Sequence, residues 1–264
     1  MNDDETPSHE ELLGLEQRFR REASSFAGRI ANPQACRHVR KGLILRQAMM
    51  QTSRLFIHAK LSEQGTKPLD PYMATALAVH LNAFYTNLSG GLDNLAWATT
   101  YECGLCTPVV EDAGKGTSRK FCDLFGRAFL DALQVRRPRL AAFLVAESSW
   151  HSELRQLRDP GAHRIPLGFA LAILTKEEHQ HAADLQKRGT ALMSEGLLST
   201  RWDQGYDLWV ESMHLGRFQP VIVTNTAQGG EFRSAPDQLS RDTMHFHIVC
   251  LKTMQGIQSD FAEP

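Results

Sequence analysis

Arg158-Asp159-Pro160-Gly161-Ala162-His163 places an arginine and a histidine with four residues between them. Those two residue types have the chemistry needed to cut RNA without a metal. The substrate's own 2′-hydroxyl is the nucleophile, protons must move between oxygens, and a dianionic phosphorane develops. Histidine titrates near neutral pH and suits the proton transfer. A guanidinium forks onto phosphate oxygens and suits the developing charge. Arg158 is thus a candidate phosphate clamp and His163 a candidate acid/base, with Asp159 as a group that could orient either. Asp159 before Pro160 is equally an ordinary helix-capping arrangement. Arg164 could contact phosphate or lower the pKa of His163, or be a solvated charge. Arg155, three residues before Arg158, is a second candidate RNA contact. On a regular helix, positions i and i+5 lie about 140° apart. The pair therefore needs a turn at Pro160-Gly161 to bring the two side chains together.

Other constellations compete. The bare R-x4-6-H spacing is expected about two or three times by chance in a chain this rich in Arg and His. It recurs at Arg241-Asp242-Thr243-Met244-His245-Phe246-His247, which reads alternatively as a surface face of the last helix. There Arg241 faces His245 at i, i+4 rather than His247. Glu177-Glu178-His179-Gln180-His181 is the densest His/carboxylate cluster, but a helix splays its i, i+2 histidines, unlike the i, i+4 pair of a zinc protease. Cys103 and Cys106 form a lone C-x2-C without the second pair a zinc site needs, so they read as structural thiols. The GKGTS at residues 114–118 lacks the preceding glycine of a phosphate loop. No metal site and no cofactor is expected.

The segment around the first copy, Leu157-Arg158-Asp159-Pro160-Gly161-Ala162-His163-Arg164-Ile165-Pro166-Leu167, resembles a bacterial subgroup of the HEPN superfamily of helical-bundle proteins. Further likenesses are Leu92-Asp93-Asn94-Leu95-Ala96-Trp97, Tyr101-Glu102-Cys103-Gly104-Leu105 and Phe125-Gly126-Arg127-Ala128-Phe129. The resemblance covers roughly residues 72–167, with a looser likeness at 218–226. It implies an all-α bundle and a metal-independent endoribonuclease acting as a homodimer. Such proteins often serve as toxins or in defence against phage, sometimes with a neutralising protein partner. Fold alone does not confer activity, so a non-catalytic HEPN-like module that binds nucleotide, RNA or protein is the alternative. A histidine-based metalloenzyme is a third reading.

Composition bounds these readings. The 264 residues carry 29 Lys plus Arg against 30 Asp plus Glu, a net charge of -1. A chain so balanced is not a general polyanion binder, so any RNA site must be a local patch. Arg127, Arg136, Arg137, Arg139, Arg155, Arg158 and Arg164 are the candidates for one; a salt-bridged surface is the alternative. The start, MNDDETPSHEE, is acidic and unlike a secretory signal. No apolar run is long enough for a membrane span. Five scattered cysteines suit a reducing compartment. A cytoplasmic protein with no membrane partner is the expectation.

The elements that must position these residues are mostly helical. Helices are predicted at 12–30, 40–62, 118–133, from Pro138 to about Leu157, 176–196 and 234–261. In the second, Leu45, Ala48, Thr52, Leu55 and Ala59 share a face. The strongest signal is Met73, Leu77, Leu81, Phe84, Leu88, Leu92, Leu95 and Thr99, a seam about seven turns long that opens at an Asp70-Pro71 cap. Gly90-Gly91 inside it predicts a close helix–helix approach or a bend. Residues 158–170 read as irregular because Pro160, Gly161 and Pro166 interrupt a helix. The YDLWV and FQPVIVTNT runs within 206–226 read as strands of a small hairpin or ribbon. The expected organisation is a flexible tail at 1–10, a HEPN-like bundle at 11–170 and an extension at 171–264 with a short β hairpin or ribbon.

Overall fold

A computed structural model of the chain describes residues 7–106, 121–163, 166–196, 200–226 and 229–258. It is mainly helical, with a three-stranded antiparallel sheet near its C-terminal end. Among the described residues no helix is long and apolar enough to cross a membrane. The chain divides into two compact units that are not contiguous in sequence. The first holds residues 1–55, 81–166 and 236–264; the second holds 56–80 and 167–235. The last helix, read above with the extension, therefore packs within the first unit.

In the first unit, α1 (His9–Arg29) begins at a reciprocal cap. Ser8 Oγ accepts from Glu11 N at 3.3 Å, and Glu11 Oε2 accepts from Ser8 N at 2.7 Å. Two of the amides that a helix start leaves unpaired are thus satisfied. His9 and Glu10, expected in the tail, are already helical; residues 1–6 lie outside the described residues. Asn32 Oδ1 caps α2 (Pro33–Arg37) by accepting from Gln34 N and Ala35 N. The backbone then widens into a π-helical turn, His38–Leu43, before α3 (Ile44–Gln64).

The face expected to be special on α3 is its outer one: Leu45 is 55% exposed, and Thr52 and Ala59 are exposed too. The buried stripe is Leu43, Gln47, Met50, Arg54 and Ile57. Its two polar members hide it from a hydrophobic pattern. Arg54 is tolerated because Glu16 of α1, wholly buried, accepts from its Nε at 3.1 Å and its Nη2 at 2.9 Å. A buried guanidinium requires such a partner.

The predicted seam is realised in α4 (Pro71–Cys103). Leu77, Leu81, Phe84, Leu88, Leu92, Leu95 and Thr99 are all buried. Burial of each Leu or Phe contributes roughly 1.5–3 kcal/mol. The glycine pair does allow close approach. A Cβ at Gly90 would fall inside the Arg46 guanidinium, and one at Gly91 would lie 2.9 Å from the Phe246 ring. The bundle continues with α5 (Arg127–Arg136), α6 (Pro138–Ala146), α7 (Ser148–His163) and α10 (Ala235–Gln258). The helix predicted at 118–133 starts later than expected: residues 121–126 are irregular, and 118–120 lie outside the described residues.

In the second unit, β2 (Val221–Thr226) pairs with β1 (Gly168–Phe169) and with β3 (Gly229–Ser234), both antiparallel. The register runs from Val221 opposite Ser234 to Thr226 opposite Gly229, a hairpin. Leu69 N donates to Leu171 O at 2.8 Å and Phe218 N to Thr66 O at 3.0 Å, tying residues 56–80 to the sheet region. The remaining elements are α8 (Lys176–Met193) and α9 (Thr200–Met213), whose backbones meet at Gly189 and Gly205. The YDLWV run is not a strand; it lies in α9. Trp202, Tyr206 and Trp209 recur at i, i+4 and i+7 and stack along that helix at 5.5 and 6.3 Å. This is a helical period, which outweighs the β preference of the individual residues.

Candidate functional site

α7 stays helical through Pro160 and Gly161 and ends at His163. This corrects the expectation that residues from 158 onward are irregular. Leu154 and Leu157 are buried on α7, so packing holds the helix up to the motif. Proline's missing N–H and glycine's flexibility then act only on its last turn. Positions 158 and 163 therefore lie about 140° apart around the helix axis, and no turn between them brings them to one face. The side chains of Asp159 and His163, and Arg164 entirely, lie outside the described residues. Arg155 is exposed.

Arg158 is half-buried, and its charge acts on Asp93 of α4. Solvent reaches Asp93, yet protein crowds its flanks. That crowding pushes its carboxyl from 3.8 up to about 6; the Arg158 and Arg46 guanidiniums pull it down and Asp123 pushes it further up. Desolvation wins over both arginines. The result is a carboxyl with a pKa of about 6 that feels the charge of two guanidiniums. Two cations and one further acid act on Asp93, so the charge around it is balanced rather than strongly basic.

The geometry of α3 and α4 holds this cluster. Arg46 lies across the bare backbone at Gly90, with its Nη1 donating to Asn87 Oδ1 at 3.5 Å. The π-helical turn brings Gly42 against Asn94, where a Cβ would overlap the amide. Asn94 Nδ2 donates to Gly90 O at 2.6 Å, and His38 Nδ1 lies 3.2 Å from Asn94 Oδ1. Asp123 is held by its own turn, accepting from Phe125 N at 3.0 Å. Pattern reading named Arg158 and quoted Asp93 only within a resemblance; it missed Arg46, Asp123 and His38. A signal existed for Asp93. In 33 residues of α4 there is no Lys or Arg, and Asp93 and Glu102 are the only acids. Glu102 has a structural task, accepting from Ala31 N and Asn32 N at 3.1 and 2.9 Å.

The second Arg/His segment is absorbed by the core, which corrects its reading as a surface face. Asp242 is 1% exposed and accepts from Tyr85 Oη, Trp150 Nε1 and Gln238 Nε2 at 3.0, 3.0 and 2.8 Å. Burial raises its carboxyl. Arg241 pairs with Glu153 at 2.6 Å. His245 stacks on Trp150 at 5.3 Å and meets Glu147 at 3.1 Å. His247 points elsewhere, edge-on to Phe19, fully buried, with Nδ1 on its own helix's Thr243 O at 2.7 Å. Burial drives its pKa down to about 4.

The remaining candidates are structural or surface groups. Glu178 closes a capping box with Thr175 at the start of α8, while His179 and His181 are exposed. Cys103 is a free thiol that burial raises. Arg137 Nη2 donates to Ile257 O near the end of α10, and Arg127 is exposed beside Asp131. Among the described residues no group of three or more His, Cys, Asp or Glu is placed to hold a metal ion. The GKGTS segment lies outside the described residues. No family model, curated protein or solved structure matches the chain.

Proposed function

We propose that the chain is a metal-independent endoribonuclease of the HEPN type, working as a homodimer. The observation that carries this reading is that Arg46 lies across the backbone at Gly90, one turn before Asp93, and that its charge and that of Arg158 both act on the Asp93 carboxyl, which is raised to about 6. A phosphate seated on the two guanidiniums would have its developing charge neutralised. Asp93, close to half-protonated near pH 6, is suited to take the 2′-hydroxyl proton or return one to the leaving 5′-oxygen. The 2′-oxygen then bonds to phosphorus as the 5′-oxygen leaves, giving a 2′,3′-cyclic phosphate and a 5′-hydroxyl end. His163 is not on the Arg158 face of its own helix, so its role requires the other subunit of the dimer. A toxin or anti-phage role, with a neutralising partner, follows from the resemblance alone.

The second reading is a non-catalytic RNA- or protein-binding module. The helical continuation through Pro160-Gly161 favours it, because one chain does not pair Arg158 with position 163. Incubation of mixed RNA with the protein in EDTA decides between them. The nuclease reading expects cleavage in EDTA that is lost in Arg158→Ala and Asp93→Asn, and in His163→Ala if the dimer completes the site. Failure of the wild type to cut any RNA, or full activity of Arg158→Ala, overturns it.

A further inference from the structure

Next to Asp93 on α4 is a ring cluster that the proposed chemistry does not use. Asn87, Gly90, Asn94, Trp97 and Tyr101 follow one another in steps of 3, 4, 3 and 4, a second stripe distinct from the apolar seam. Its partner is the π-helical turn. His38 stacks with Trp97 at 6.0 Å and with Tyr101 at 5.9 Å, and Trp97 lies 6.2 Å from Tyr101. The interplanar angles are 21°, 23° and 36°. All three rings are half-buried, so each keeps contact with solvent. His38 is oriented by Asn94 at 3.2 Å.

Three cations flank His38 in the sequence. Arg37, Arg40 and Lys41, on and beside the same turn, are exposed, and Arg46 follows on α3. A π-helical turn is often found at functional sites, because it re-aims side chains at the cost of helix regularity. Here it aims His38 at Asn94 and the two rings of α4. Trp97 is one turn beyond Asp93, about 6 Å along the axis. That offset is on the order of one nucleotide of extended chain.

We propose that the His38–Trp97–Tyr101 cluster is a base-stacking subsite for single-stranded RNA, placing a nucleotide next to the one whose phosphate meets Arg158 and Arg46. This rests on the reading of Asp93, Arg46 and Arg158 as a phosphodiester site. Flat rings among exposed cations bind unstacked bases with little regard to sequence. A duplex keeps its bases stacked inside and offers them no face.

The test separates binding from cleavage. A fluorescently labelled eight-nucleotide RNA with 2′-O-methyl groups has no nucleophile and cannot be cut by this chemistry. Its affinity is measured in EDTA by anisotropy with the full chain, beside the same sequence as a duplex. The single strand is expected to bind more tightly than the duplex. Trp97→Ala should weaken it about 10-fold or more, Trp97→Phe much less. Arg40→Ala with Lys41→Ala, both on the surface, should flatten the salt dependence without disturbing the fold. Unchanged affinity in folded Trp97→Ala, or in the Arg40/Lys41 variant should Trp97→Ala not fold, overturns the subsite, as does a preference for duplex. If the wild type cuts natural RNA with a KM that Trp97→Ala leaves alone, the subsite is wrong and the nuclease reading stands. If no RNA is cut yet the oligonucleotide binds through Trp97, the nuclease reading is wrong and the subsite stands.

Discussion

Two segments of this chain begin Arg-Asp and reach a histidine within six residues, and they end in opposite circumstances. In α10, every polar side chain of the segment is committed. Asp242 gathers three donors in the core, Arg241 takes Glu153, His245 takes Glu147, and His247 is sealed against Phe19. In α7, Arg158 sits at the edge of a solvent-reached cluster with Asp93. The difference lies in position along the helix. Arg241 to His247 fall in the middle of a 24-residue core helix, whereas Arg158 to His163 are the last six residues of theirs. A helix interior packed on several sides absorbs polar groups into its own stability, and a helix end packs on fewer sides.

The contrast breaks most sharply at Arg158. Arg158→Ala is expected to cut RNA cleavage by about 100- to 1000-fold, the usual effect of removing a group that stabilises transition-state charge. Circular dichroism should show the variant still helical, so that the loss is read on folded protein. Full activity in this variant would place the two segments on the same footing.

Asp242→Ala is the converse. It leaves Tyr85 Oη, Trp150 Nε1 and Gln238 Nε2 without their acceptor, at a cost of about 3 kcal/mol or more. Urea unfolding should show this loss, while cleavage per folded molecule should stay near wild type.

His247 makes the comparison pH-dependent. Its pKa is about 4 in the folded chain and 6.5 ordinarily. Between those values the unfolded chain binds the extra proton, so stability falls as pH drops below 6.5 and the loss is complete near 4. The full effect is on the order of 3 kcal/mol. Thermal melts of His247→Phe over that range should be flatter than those of the wild type.

Asp93 has the opposite sign. A folded pKa above 3.8 means that ionisation works against folding, so its cost appears as pH rises from 3.8 and is complete above about 6. Asp93→Asn should therefore be more stable than wild type at pH 7, though not at pH 3.5, and its pH–rate profile should lose any inflection near 6. The smallest effect belongs to the half-exposed Arg241–Glu153 pair. Arg241→Ala should cost less than about 1 kcal/mol and leave cleavage intact, read in melts and rates together.

Helices with a clean apolar period were legible in the sequence. The α4 seam, the cap at Asp70, the close approach at Gly90-Gly91 and the spans of α8 and α10 follow from local rules. The failures share one physical cause, in that tertiary partners override local preference. Arg54 and Gln47 are core residues of α3 because α1 packs there, with Glu16 supplying the charge Arg54 needs, and a hydrophobic pattern cannot register them. Pro160-Gly161 punctuates without ending α7, since buried Leu154 and Leu157 hold the helix to that point. The site was half visible. Arg158 stood out by its flanking sequence, whereas Arg46 and Asp123 reach Asp93 only through folding, across 47 and 30 residues of chain.

The place of α10 has a consequence for the making of the protein. Tyr85 is synthesised 157 residues before its partner Asp242. At about 5–20 residues per second, the ribosome takes roughly 8–30 s to cover that gap. During that time Gly91 faces no Phe246, and the phenol of Tyr85 and the indole of Trp150 have no carboxylate to meet. The first unit closes only when residues 235–258 have left the ribosome. A nascent chain that already carries Arg158 and Asp93 is thus kept from its finished core until α10 has been made.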